Sequence, residues 1–165
     1  SLMDGVTVSA SYTPSDGTAQ VESSTDYGIK YTGIDGLTLG LAAGTDDTDQ
    51  TATVDTTNMY VTYAMDAFTV GYQASEDDSE ATNADLDFTA LGLSYAVSEE
   101  MSVSVNTSTI DYENATLSDQ EATGISVSYV MGSMTLKANH NTVDNIAGAS
   151  TDDRSGYALG LSFAF

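Results

Sequence analysis

Carboxylates are the only abundant groups in this sequence that could do chemistry: 25 Asp and Glu stand against three basic residues, Lys30, Lys137 and Arg154. Oxygen ligands of this kind suit hard divalent cations. Two runs concentrate them, D-D-T-D at 46–49 and E-D-D-S-E at 76–80. Neither has the offsets of an EF-hand loop, which needs a turn glycine at its sixth position and a Glu at its twelfth. The expectation is therefore weak, diffuse binding of Ca or Mg at acidic loops, with Asp46, Asp47 and Asp49 as candidate ligands and no resident cofactor. Paired carboxylates also serve as general acid and base, but only in a cleft that fixes their separation. Every pair here falls on a segment read as an exposed loop, so no enzyme is expected. There is no Cys, which removes thiolate nucleophiles, thiolate metal sites and disulfides, and the one His, His140, cannot build a His cluster. His140 is read as an interface side chain. A formal charge of -22 leaves no basic patch for a phosphate backbone, which excludes nucleic acid as a partner.

The elements that carry these groups are strands. From Gly156 to Phe165 the sequence G-Y-A-L-G-L-S-F-A-F alternates strictly, with Tyr157, Leu159, Leu161, Phe163 and Phe165 on one face and Gly, Ala or Ser on the other. The same period recurs in strands read at about 5–13, 25–33, 36–44, 57–65, 67–75, 86–97, 101–110, 122–131, 134–142 and 155–165. One face carries residues such as Val8, Leu39, Val61, Val70, Leu93 and Ile125 with no charge among them. The other is polar or small, and its larger polar members are Lys30, Thr38, Thr62, Gln73, Asn106, Lys137 and Asn139, the candidates for lining a pore. Lys30 and Lys137 each lie four to five residues from a short turn, so they are expected at similar depth. Short connections (33–36, 65–67, 97–101, 131–134) alternate with long ones (13–25, 44–57, 75–86, 110–122, 142–155). All acids except Asp4, Asp35, Asp66, Glu99 and Glu100 lie in or beside the long connections, which charges one rim and favours cations within a Debye length of ~8 Å.

The organisation is a repeat. Tyr31, Tyr63, Tyr95 and Tyr129 each precede a short turn, at spacings of 32, 32 and 34 residues, which suits two strands and one long loop. L-M-D-G-V-T-V at the start matches the same turn in mid-motif, so residues 1–165 are expected to be either one β-barrel domain or the C-terminal segment of a larger one. Fourteen Gly, one Pro and many Thr, Val and Tyr fit strands, and alternation conceals a membrane strand from mean hydropathy. The fold class is all-β, an antiparallel transmembrane β-barrel with about ten strands here.

The repeat, the loop asymmetry and the F-A-F ending together resemble the Gram-negative outer-membrane general porin family, of alphaproteobacterial type, over its C-terminal part. The ending itself resembles the assembly signal of outer-membrane barrels. What the resemblance implies is a ~16-stranded trimeric barrel in the bacterial outer membrane, in contact with membrane lipid and lipopolysaccharide and completed by N-terminal strands of the same protein. It also implies passive diffusion of small hydrophilic solutes and ions through a water-filled pore. The acidic rim adds a cation preference. Only Lys30 and Lys137 match the basic wall that such pores set against an inward loop. Two alternatives stay open: a closed ten-stranded barrel with a structural or adhesive role through its acidic loops, and a soluble acidic sandwich.

A continuous uncharged face of this extent needs lipid or detergent. The protein is expected to be folded and monodisperse only in one of these; sedimentation of a folded monomer in plain buffer would refute membrane residence.

Overall fold

The structure is a computed structural model, and it describes residues 4–15, 23–49 and 52–164. Ten strands follow one another: β1 (Val6–Thr13), β2 (Ser24–Ile34), β3 (Leu37–Asp49), β4 (Ala52–Met65), β5 (Phe68–Ser79), β6 (Leu86–Ala96), β7 (Met101–Tyr112), β8 (Gln120–Met131), β9 (Met134–Asp144) and β10 (Arg154–Phe163). A single 3-10 turn spans Ile146–Gly148. All neighbours are antiparallel, and the sheet order is the chain order from β1 to β10. Positive φ at Gly36, Asp66 and Gly132 lets three of the short turns reverse the chain within two residues, a conformation that Gly and Asp reach at low cost.

Strand positions agree with the sequence reading, but several ends do not. β3 runs on to Asp49, β4 begins at Ala52 and β5 continues to Ser79, so segments read as long loops are hairpin extensions. Their acids looked like loop signals. The backbone ladders run on through these segments, and two threonines support them from the facing strand. The hydroxyl of Thr45 donates to Asp55 Oδ1 at 2.7 Å, and that of Thr56 to Asp77 Oδ1 at 2.9 Å. Hydroxyl and carboxylate thus satisfy each other across the ladder.

Among the described residues there is no hydrophobic core. No apolar side chain is buried, and the apolar face stays uncovered, with Val8 58%, Leu41 60% and Leu161 55% exposed. A soluble sandwich would bury that face under a second sheet, so the sandwich alternative fails. Nor is the sheet closed into a ring among the described residues. β1 and β10 stand at opposite ends of the order with no ladder between them.

The register also yields the strand tilt. A cross-strand row that starts at Lys30 passes Gly40, Tyr60, Gln73, Ala90, Ser108 and Ala122 to reach Val143 on β9, six residues beyond Lys137 on the same strand. Measured from the short turns, the row climbs nearly one residue per strand. At ~3.3 Å per residue and ~4.8 Å between strands this is a tilt of about 30°, close to barrel values.

Arg in place of Leu39 or Val70 is expected to cost ~2–4 kcal/mol of stability in lipid, and Arg in place of Thr38 or Gly71 much less. Urea unfolding in vesicles measures both pairs, and equal costs on the two faces would overturn the face assignment.

Candidate functional site

Strand parity puts Lys30, Thr38, Thr62, Gln73, Asn106, Lys137 and Asn139 on one face, opposite the apolar residues. The register brings three of them into a single cross-strand row, Thr38, Thr62, Gly71, Gly92, Asn106, Gly124 and Asn141. Gln73 lies two residues from Gly71 on the same side of β5. Asn139 accepts a hydrogen bond from the Asn141 amide at 3.3 Å, and Ser104 and Ser126 share one at 2.6 Å. Lys30 and Lys137 are both exposed and, with the tilt taken into account, stand at similar height above the short-turn rim. The ion pair found among the described residues, Arg154 with Asp152 at 3.5 Å, involves neither of them.

Two large residues of this face escaped the sequence reading. Tyr60 shares the parity of Thr62, and its ring lies over Gly40, where a Cβ would collide with it. Phe88 shares the parity of Gly92. Counting by twos from Thr62 and Gly92 would have found both, but a tyrosine and a phenylalanine in a membrane strand suggest the lipid side.

The acids are placed differently from the expected rim. On β4 and β8, read away from the short turn, four apolar outward residues are followed by a threonine (Thr57, Thr123) and then an acid (Asp55, Glu121). Thr89 and Asp87 continue the pattern on β6, and Asp78 and Asp144 end β5 and β9 at the same level. The carboxylates form an outward collar above the apolar band, in which Asp55 faces Asp78, Glu76 faces Asp87, Asp87 faces Asp111, and Glu121 faces Asp144. Only Asp26, Asp46 and Asp77 take the inward parity on the strand ends. The metal candidates Asp46, Asp47 and Asp49 lie on β3 instead of a loop, and the side chains of 47 and 49 fall outside the described residues. Among the described residues no three acidic or His side chains cluster as a metal site.

On β10, Tyr157, Leu159, Leu161 and Phe163 share one face, 85%, 75%, 55% and 55% exposed, and Phe165 lies outside the described residues. His140 stacks on Tyr157 with ring centroids 4.3 Å apart, on the outward face as expected for an interface residue. Two neighbouring loops are tied together: Ser118 N donates to Gly148 O at 3.0 Å, and Asn145 Nδ2 to Asp119 O at 2.9 Å.

With one apolar and one polar face on an open, tilted meander, the comparison with known proteins becomes informative. The family model for Gram-negative porins matches residues 2–115. The chain belongs to the Gram-negative porin family. It is thus a β-barrel protein of the bacterial outer membrane. No curated protein matches it. Among solved structures, this porin chain is similar to the anion-selective porin from Comamonas acidovorans, with a TM-score of 0.83, 15% identity, and cover of 99% of this chain and 57% of that one. A mutant Rh. blastica porin gives 0.70 at 17% identity, covering 98% and 64%. Outer-membrane expressed OmpT of Vibrio cholerae gives 0.75 at 13% identity, covering 98% and 61%. At such identities the likeness shows the fold. The porin chain spans 57–64% of the lengths of these three.

Asp111 sits at the end of β7, outside the membrane band. Loss of surrounding water, then the charge and hydrogen bond of Asp119, then the charge of Asp87, push its carboxyl above the usual carboxylate range. A raised carboxyl binds its proton better folded than unfolded, so its contribution is present below the unfolded pKa and is lost as pH rises through the folded one. Asp111→Asn is expected to stabilise the detergent-solubilised protein at neutral pH and to flatten the gain on acidification. Identical pH profiles of urea unfolding in the two proteins would count against this.

Proposed function

We propose that this chain forms part of the wall of a general porin, a water-filled pore through which small hydrophilic solutes and ions diffuse passively, with a preference for cations. The observation that carries this is the division of the sheet into an uncharged apolar face and a polar face holding two lysines outside any ion pair among the described residues. Lipid accepts the first and water the second. Strands β1 and β10 each leave one edge without a ladder, and lipid cannot satisfy an open edge. Ten strands on 57–64% of the length of the similar porins scale to a barrel of about sixteen, which further strands of the same protein would complete. A homotrimer in lipid and lipopolysaccharide is the proposed assembly. The outward collar of carboxylates, at the level of anionic headgroups, would hold Ca or Mg weakly between the two. No catalytic role is assigned.

Cation preference follows from the inward Asp26, Asp46 and Asp77 and the acids of the long loops, set against Lys30 and Lys137. Because most strand-end carboxylates face outward, their field reaches the mouth only through solvent, and the preference should fade as the Debye length shrinks. The Comamonas protein is described as anion-selective, so the shared fold does not by itself imply a preference, and the reading rests on the charges of this chain.

In planar bilayers with a KCl gradient, the reversal potential is expected to show cation preference at 0.1 M salt, falling at ~1 M, where the screening length is about 3 Å. Anion preference at low salt would sink the selectivity, and absence of stable conductance would sink the pore itself.

A further inference from the structure

We infer that the polar face carries a binding niche for a neutral pyranose ring, a site that rests on the pore reading in that it would lie on the lumenal wall. A depression of about 380 Å³ opens on this face across β4 to β7. That is at the lower end of the ~300–1,000 Å³ of small-molecule sites, room for one ring with its water. Tyr60, Phe88, Gln73, Asn106, Gly71 and Gly92 are among the residues that line it.

Gly71 and Gly92 stand open and are not covered from above. Gly40, Gly44 and Gly124 lack a side chain because a neighbour lies over them: the Tyr60 ring, the Asp26 carboxylate, and the amides of Asn106 and Asn141. Gly71 and Gly92 differ. These two face each other across the ladder, and an added Cβ would meet nothing nearer than Thr62 Cγ2 at 3.4 Å on Gly71 or Val105 O at 4.0 Å on Gly92. Their bareness preserves space.

The lining selects the chemistry. No charged residue borders the depression, so neither an anion nor a cation finds a partner in it. Gln73 makes no side-chain hydrogen bond among the described residues, so its amide offers a carbonyl acceptor and two N–H donors, while Asn106 borders the niche with its Oδ1 turned over Gly124. Aromatic faces carry negative charge density and accept the weakly positive C–H face of a saturated ring. A flat ring with C–H groups on its faces and hydroxyls around its edge matches aromatic walls and amide rims together. An acyclic polyol of equal polarity has the hydroxyls without the face.

Saturation-transfer NMR on the full chain, solubilised in a detergent without a sugar headgroup, tests this with methyl α-D-glucopyranoside against sorbitol. Saturable transfer from the glucopyranoside and none from sorbitol is the expected result. Tyr60→Ala should weaken binding about three- to tenfold, with Tyr60→Phe retaining it, and Asn106→Ala should weaken it similarly. Gly92→Val should abolish it, since the added side chain enters open space; heat-dependent mobility on gels checks that each variant is folded. Equal transfer from both solutes, non-saturable transfer, or variants indistinguishable from the parent would overturn the niche. Bilayer current separates the two proposals: conductance without saturable binding defeats the niche alone, and saturable binding without conductance defeats the pore alone.

Discussion

A strand in lipid has no solvent for its peptide groups, and everything else in this structure follows from that constraint. Each strand from β2 to β9 satisfies both edges through ladders to its sequence neighbours. The ladders then fix parity: a slip of one residue anywhere would turn a row of apolar side chains away from lipid and a row of serines and threonines into it. Register is therefore held by the faces, and the faces are read out by the register.

The usual source of stability is missing. No apolar side chain is buried among the described residues, so hydrophobic transfer takes place against lipid and not against a core. Inward residues are consequently free of packing demands. Small residues can stand there without leaving a costly cavity, because among the described residues no second layer of side chains packs over them. Where a large residue does turn inward, as Tyr60 does, a glycine opposite makes room for it.

The same logic accounts for TM-scores of 0.70 to 0.83 at identities of 13% to 17%. An outward position accepts almost any apolar residue, and an inward one almost any small polar residue, so family membership conserves a period and a set of lengths more than a set of side chains. The acids obey a further rule of height. Like charges face each other from β4 to β9 only where the strands have left the apolar band, since beside lipid such pairs would be desolvated and prohibitive.

Strand existence, their number and the side most residues take were legible in the sequence, because a period of two is a local property. The pore candidates Lys30, Gln73 and Asn106 came from that period alone. Strand ends were less legible: D-D-T-D and E-D-D-S-E have loop composition, and what extends them is pairing with another strand, reinforced at Asp77 by the facing Thr56. Tyr60 and Phe88 were hidden for a different reason, since residue type suggested lipid while parity with Thr62 and Gly92 placed them inward. Neighbour identity across the sheet decided the rest. The outward collar, the open space at Gly71 and Gly92, and the unpaired edges of β1 and β10 all depend on which residues stand side by side, and hydrogen bonds between strands determine that where sequence spacing cannot.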